Sequence, residues 1–130
     1  GPWKRLCALP ALWVGALYDP DSLQGCLDLC RGWNADDLAK LREDVSRRGL
    51  QAIVGGREVR DIARDLLDLA RRGLSRRARL GAAGDDETGF LQPLQRIVET
   101  GRTPAEELLD RYHGKWNKSL VPLFNEQAYY

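Results

Sequence analysis

The residues able to do chemistry are few and scattered. Cys26 and Cys30 stand four apart, which puts two thiols on one face of a helix, where a pair of thiolates can hold a soft metal ion. Zinc takes four ligands, however, and the single histidine, His113, belongs to a different element, so these cysteines read more simply as small apolar residues on a buried helix face, beside Leu23, Leu27 and Leu29. Asp85, Asp86 and Glu87 are hard oxygen donors. Three consecutive acids point in different directions, and they fit better as negative charge at the start of a helix. Gly55-Gly56 lacks both the Lys-Ser/Thr of a phosphate-cradling loop and the spaced third glycine of a dinucleotide loop. His113 has no nucleophile beside it and there is no Gly-x-Ser-x-Gly elbow, so neither a catalytic nor a metal-binding residue is assigned.

Five arginines within Arg71–Arg79 form the one basic cluster and offer contacts to a nucleic-acid backbone. The same helix opens with acids, and cations at a helix C-terminus offset its dipole, so a solvated helix end is the preferred reading. Overall charge agrees: 20 Lys+Arg against 19 Asp+Glu leave +1, which gathers neither nucleic acid nor an anionic membrane. Trp13 is the remaining candidate. A flat indole beside a proline-kinked backbone can wall a small-molecule pocket, although a lone tryptophan in an apolar run is by default core.

The elements that must position these residues are mostly helical. Asp19-Pro20-Asp21-Ser22 supplies a turn and an N-cap for a helix over about 22–32, and Asn34 caps another over about 35–48, where Leu38, Leu41 and Val45 repeat at helical steps and Gly49 stops it. Leu50–Val54 is too short for a helix and reads as a strand-like connector. Val59, Ile62, Ala63, Leu66, Leu67, Leu69, Ala70 and Leu74 fall along one stripe of a long helix, about 57–79. A polar loop follows, then a helix over about 87–100. Thr103-Pro104-Ala105-Glu106 combines a cap, a proline preset for the first turn and a glutamate that reaches back, which demands a helix from there to about 113.

Both flanks lack a clean period. Residues 1–18 are apolar but broken at Pro10 and Gly15, and the tail carries Trp116, Leu120, Leu123, Phe124, Tyr129 and Tyr130 without helical order. The expected architecture over 1–130 is therefore one mainly α unit of about five helices with irregular apolar N- and C-terminal segments that need a neighbouring surface. At 130 residues a core can form, but little mass is left for a complete multi-substrate site. The absence of methionine, even at position 1, suggests a processed piece or an excised domain. No apolar run is long enough to span a bilayer, and three cysteines are too few for a disulfide framework, which points to a reducing compartment.

Leu9-Pro10-Ala11-Leu12-Trp13-Val14-Gly15-Ala16-Leu17-Tyr18-Asp19 resembles the Leu-Pro-Ala-Phe-Trp-Val-Gly-Leu-Leu-Tyr-Asp segment of the plant and proteobacterial type of glutamate-cysteine ligase. Gly1–Ala8 is similar to the lead-in to that segment. Gly101–Leu109 and Tyr112–Trp116 resemble the family's Gly-x-Thr-Pro-Ala-Glu-x-Leu-Leu and Tyr-x-Gly-x-Trp stretches, and the aromatic tail corresponds too. Two departures stand out. Leu12 occupies the usual Phe position, and Ser119–Phe124 lacks the acid of Ser-Val-Asp-Pro-Val-Phe.

The resemblance implies the terminal part of a larger α+β enzyme with a glutamine-synthetase-like fold, whose curved sheet, upstream of Gly1, holds ATP and magnesium. That enzyme joins L-glutamate to L-cysteine through an acyl phosphate, the first step of glutathione synthesis. This segment would shape the amino-acid side of the site, with Trp13 and Leu12 as substrate-binding residues, and would bind neither cofactor and catalyse nothing alone. Its partner would be the upstream catalytic region, in the cytoplasm of a bacterium or the plastid of a plant or alga. Plastid relatives are redox-regulated through cysteine pairs, and Cys7 could be half of one only with a partner outside this chain. The alternative is a stand-alone helical interaction or regulatory module derived from the ligase tail.

Overall fold

The computed structural model describes residues 2–126, with side chains from Arg5 onward. In chain order they form α1 (Pro2–Leu17), α2 (Pro20–Leu29), α3 (Ala35–Arg48), a 3-10 turn at Gly49–Gln51, a hairpin of β1 (Ile53–Val54) and β2 (Arg57–Glu58), α4 (Val59–Arg77), a 3-10 turn at Glu87–Leu91, α5 (Gln92–Thr100), α6 (Pro104–His113) and α7 (Val121–Glu126). The mainly helical architecture is as expected, and the five anticipated helices are α2 to α6. Two corrections come at the flanks. The apolar opening is a regular helix, and part of the tail is the short α7.

The opening escaped the periodicity reading because α1 is apolar on both sides, which erases the contrast a helical period needs. Pro10 lies inside it and removes one backbone donor, yet the helix continues to Leu17. The inward side is made of small residues: Ala8, Ala11, Gly15 and Ala16 are buried. That smallness lets α1 lie directly on α4. A Cβ added to Gly15 would sit 2.2 Å from the Ala70 carbonyl oxygen, and one added to Gly73 would sit 1.9 Å from the Gly15 carbonyl oxygen. At this crossing the two backbones touch, and only glycine fits either position.

Around that contact Leu67, Ala70 and Leu74 of α4 meet Ala11 and Ala16 of α1, with Leu91 and Val98 closing the other side. The amphipathic stripe of α4 therefore organises the whole core. Its polar fastenings are specific. Ser22, fully buried in α2, donates its hydroxyl to the Leu69 carbonyl at 2.8 Å, and Arg60 donates to the carbonyls of Val98 and Glu99 at 2.7 and 2.5 Å, capping the C-terminus of α5.

The caps follow local chemistry. Asp19 accepts from the Ser22 amide at 2.8 Å, Asn34 and Asp37 form a reciprocal box at the start of α3, and Thr103 and Glu106 do the same for α6. Gly55 and Gly56, with φ of 58° and 76°, are the two-residue turn of the hairpin, in which Val54 pairs with Arg57. Their role is thus a turn that needs positive φ at both positions.

Not every element is covered. α3 buries none of its residues and reaches the body through its C-terminal turn and the hairpin, where Asp44 accepts from the Ile53 amide at 3.1 Å. The tail was expected to lie on another surface, but Trp116 is buried within the chain itself. Its amide donates to the Arg111 carbonyl at 2.8 Å, and its indole N–H donates to Glu126 at 3.4 Å. Leu120, Val121 and Phe124 remain exposed, while Tyr129 and Tyr130 lie outside the described residues.

Candidate functional site

The Leu9–Asp19 motif forms the C-terminal half of α1 and the cap of α2, on the rigid crossing with α4. The two residues expected near substrate part company there. Leu12 is half-buried and packs against the core, whereas Trp13, one helical step on, is 52% exposed. It belongs to a stripe in which Leu6 is 49%, Leu9 53% and Leu17 48% exposed. Steps of three and four residues put all four on one side of α1, opposite its small, buried residues. A large indole is thereby held half in solvent on a backbone that cannot shift without disturbing Gly15 and Gly73.

A groove of about 540 Å³ adjoins this region on the α4 side, between Val14, Tyr18 and Asp19 and the arginines Arg76, Arg77 and Arg79. Neither Leu12 nor Trp13 lines it. Its charge is largely engaged: Arg76 pairs with Asp19 at 3.2 Å and Asp21 at 2.8 Å, and Arg77 with Glu87 at 3.2 Å. Glu87 Oε2 is buried without a hydrogen bond, so that guanidinium is its compensation. The Ser22 amide, above all, and Arg76 hold the Asp19 carboxyl below the usual carboxylate range. Further along the cluster Arg71 donates to Gln95 at 2.5 Å. The cluster was expected to be a solvated helix end; Arg76 and Arg77 are instead ion-paired across the surface.

The helix face of Cys26 and Cys30, expected to be buried, is only partly so: Cys26 is half-buried, while Cys30, Leu23 and Leu27 are exposed, because α2 meets α4 through the side that carries Ser22 and this face turns partly away. Burial first, and Cys30 second, push the Cys26 thiol up, which disfavours the thiolate a metal would need. Cys7 and Cys30 are exposed free thiols. Among the three consecutive acids, Asp86 caps the 3-10 turn by accepting from the Thr88 amide at 3.0 Å. His113 ends α6 and meets Tyr112 edge-on, with ring centroids 5.2 Å apart. Among the described residues no group of three or more His, Cys, Asp or Glu could hold a metal ion, and no helix is long and apolar enough to cross a membrane. The feature that sequence reasoning missed is the stripe containing Leu6, Leu9 and Leu17. Its steps of three and four are in the sequence, but apolar residues on the other side of α1 mask them.

Among the described residues the indole of Trp13 stays half exposed, and many of the carboxylates are engaged in caps and ion pairs. The model of glutamate-cysteine ligase family 2 (GCS2) matches residues 1–126, and the chain belongs to this family. The chloroplastic glutamate–cysteine ligases of Solanum lycopersicum and Nicotiana tabacum are each 47% identical to it over 129 residues, and that of Arabidopsis thaliana 46%; each match covers 99% of this chain and 24% of the relative. The chain thus spans about a quarter of the length of these curated relatives.

Proposed function

We propose that the protein is part of an ATP-dependent glutamate–cysteine ligase that makes γ-glutamylcysteine, the first step of glutathione synthesis, and that it shapes the amino-acid side of the active site. In that reaction a γ-carboxylate oxygen of L-glutamate takes the terminal phosphoryl group of ATP and releases ADP. The amine of L-cysteine then attacks the acyl carbon, phosphate leaves, and the amine gives up a proton. An acyl phosphate is open to water, so an apolar wall on the amino-acid side serves the reaction by limiting solvent.

Trp13 carries this reading: it lies in a motif matching the family, and its indole stays half exposed while the opposite side of its helix is locked on α4. Leu12, packed inward, supports that wall from beneath. The carboxylates with depressed pKa values are committed elsewhere, Asp44 chiefly to Arg48 and Glu106 chiefly to the Thr103 amide. Among the described residues no three His, Cys, Asp or Glu side chains are gathered to hold a metal ion. ATP and magnesium belong to the portion of the ligase outside the chain, and the chain alone is inactive. The reading implies the plastid for a plant or alga and the cytoplasm for a bacterium.

The test is Trp13→Ala in the whole ligase. KM for an amino-acid substrate should rise about tenfold or more, the cost of losing one well-packed aromatic contact, with KM for ATP nearly unchanged. Equal effects on both substrates, or none, would overturn the assignment.

A further inference from the structure

The apolar composition of α1 is inverted. A surface helix ordinarily turns its large apolar side chains toward its own core and polar ones toward water. Here Ala8, Ala11, Gly15 and Ala16 face the core, and Leu6, Leu9, Trp13 and Leu17 face out. The stripe from Leu6 to Leu17 is about 16 Å long at the helical rise, more than one amino-acid substrate can cover. Trp13 can serve a pocket; the three leucines need protein against them.

We infer that the Leu6–Leu9–Trp13–Leu17 face of α1 is an interface with the roughly three-quarters of the ligase that lies outside this chain, so that α1 is clamped between α4 and that larger part. This rests on the proposed function. Two observations select the occupant. The curated relatives carry this chain as 24% of their length, which leaves a large body of protein still to be packed against it. Uncovered apolar residues also recur on further elements, among them Leu27 of α2, Leu38 and Val45 of α3, Leu109 of α6, and Val121 and Phe124 of α7. A second copy meeting one patch across a twofold axis would leave those bare, whereas a much larger partner can reach several. Trp13 would then stand at the seam between the two parts, where ligand pockets often form.

Hydroxyl-radical footprinting read by mass spectrometry tests this on unaltered side chains. The 130-residue chain and the whole ligase are compared without amino-acid substrates, so that only protein contact is reported. Leu6, Leu9 and Leu17 should lose reactivity several-fold in the whole ligase, while Leu80, exposed in the loop after α4, changes little. Unchanged reactivity of the three leucines would overturn the inference. So would their protection in the isolated chain, rising with its concentration, because a second copy would then be the occupant. Adding L-glutamate and L-cysteine separates the two claims. If Trp13 gains no protection while the leucines stay protected, the pocket assignment fails and the interface stands.

Discussion

The two sides of α1 follow opposite rules. Toward α4 its residues are small, and the Gly15 and Gly73 backbones are in contact; away from α4 its residues are large and half in solvent. The first side derives its stability from within the chain, through close approach and the burial of Leu67, Ala70 and Leu74. The second offers hydrophobic stabilisation that the chain leaves largely unused. The difference shows that a folded body and an unfinished one can share a single helix, with glycine fixing where the finished side ends.

Substitution should separate these sides sharply. Gly73→Val places a branched side chain where even a Cβ would come within 1.9 Å of the Gly15 carbonyl, and the helices must part. A loss of about 3 kcal/mol or more is expected, read as a lowered urea midpoint by circular dichroism. Gly89→Ala, with nothing within 4 Å of the added atom, should stay within about 0.5 kcal/mol. A mild outcome at Gly73 would mean that the crossing is looser than described.

Smaller effects belong to the polar fastenings. Ser22→Ala removes the buried hydroxyl that donates to Leu69 and should cost about 1 kcal/mol by the same measurement. Thr103→Ala should cost about the same by uncapping α6. The cap also sets a pH dependence. The Thr103 amide, followed by its hydroxyl, holds the Glu106 carboxyl below its ordinary range, so the unfolded chain binds the proton more tightly. This contribution is present above the unfolded value of about 4.3 and is lost as the pH falls through the folded one. Glu106→Gln should flatten that acid limb in a series of denaturant midpoints; an unchanged limb would show that the carboxylate's charge contributes nothing there. The smallest change is expected on the uncovered side. Leu9→Ser in the isolated chain should shift stability by no more than about 0.5 kcal/mol, and a larger loss would mean that the outward face is already packed.

Local chemistry made much of the fold legible. The Thr103–Glu106 box, the Asn34 cap and the Asp19 cap announce their helices because a side chain satisfies free amides within three residues. The stripe of α4 was readable because it has one wet side. α1 was not: with apolar residues on both sides and Pro10 inside, its period gives too little contrast to tell a helix from an irregular segment. The Arg60 cap on α5 was equally invisible, since it joins residues 38 and 39 apart in sequence. Of the candidate site, Trp13 is proposed from its motif alone. That its indole faces away from the core while Leu12 faces into it depends on which side of α1 meets α4, and only the folded packing fixes that.

The central claim is that the chemistry of the ligase lies outside this chain while the amino-acid wall lies within it. The most direct measurement is phosphate release from ATP and magnesium with L-glutamate and L-cysteine, made on the pure 130-residue chain beside the whole ligase. Release is expected from the whole ligase and none above background from the chain. Release by the chain that depends on both amino acids would contradict it.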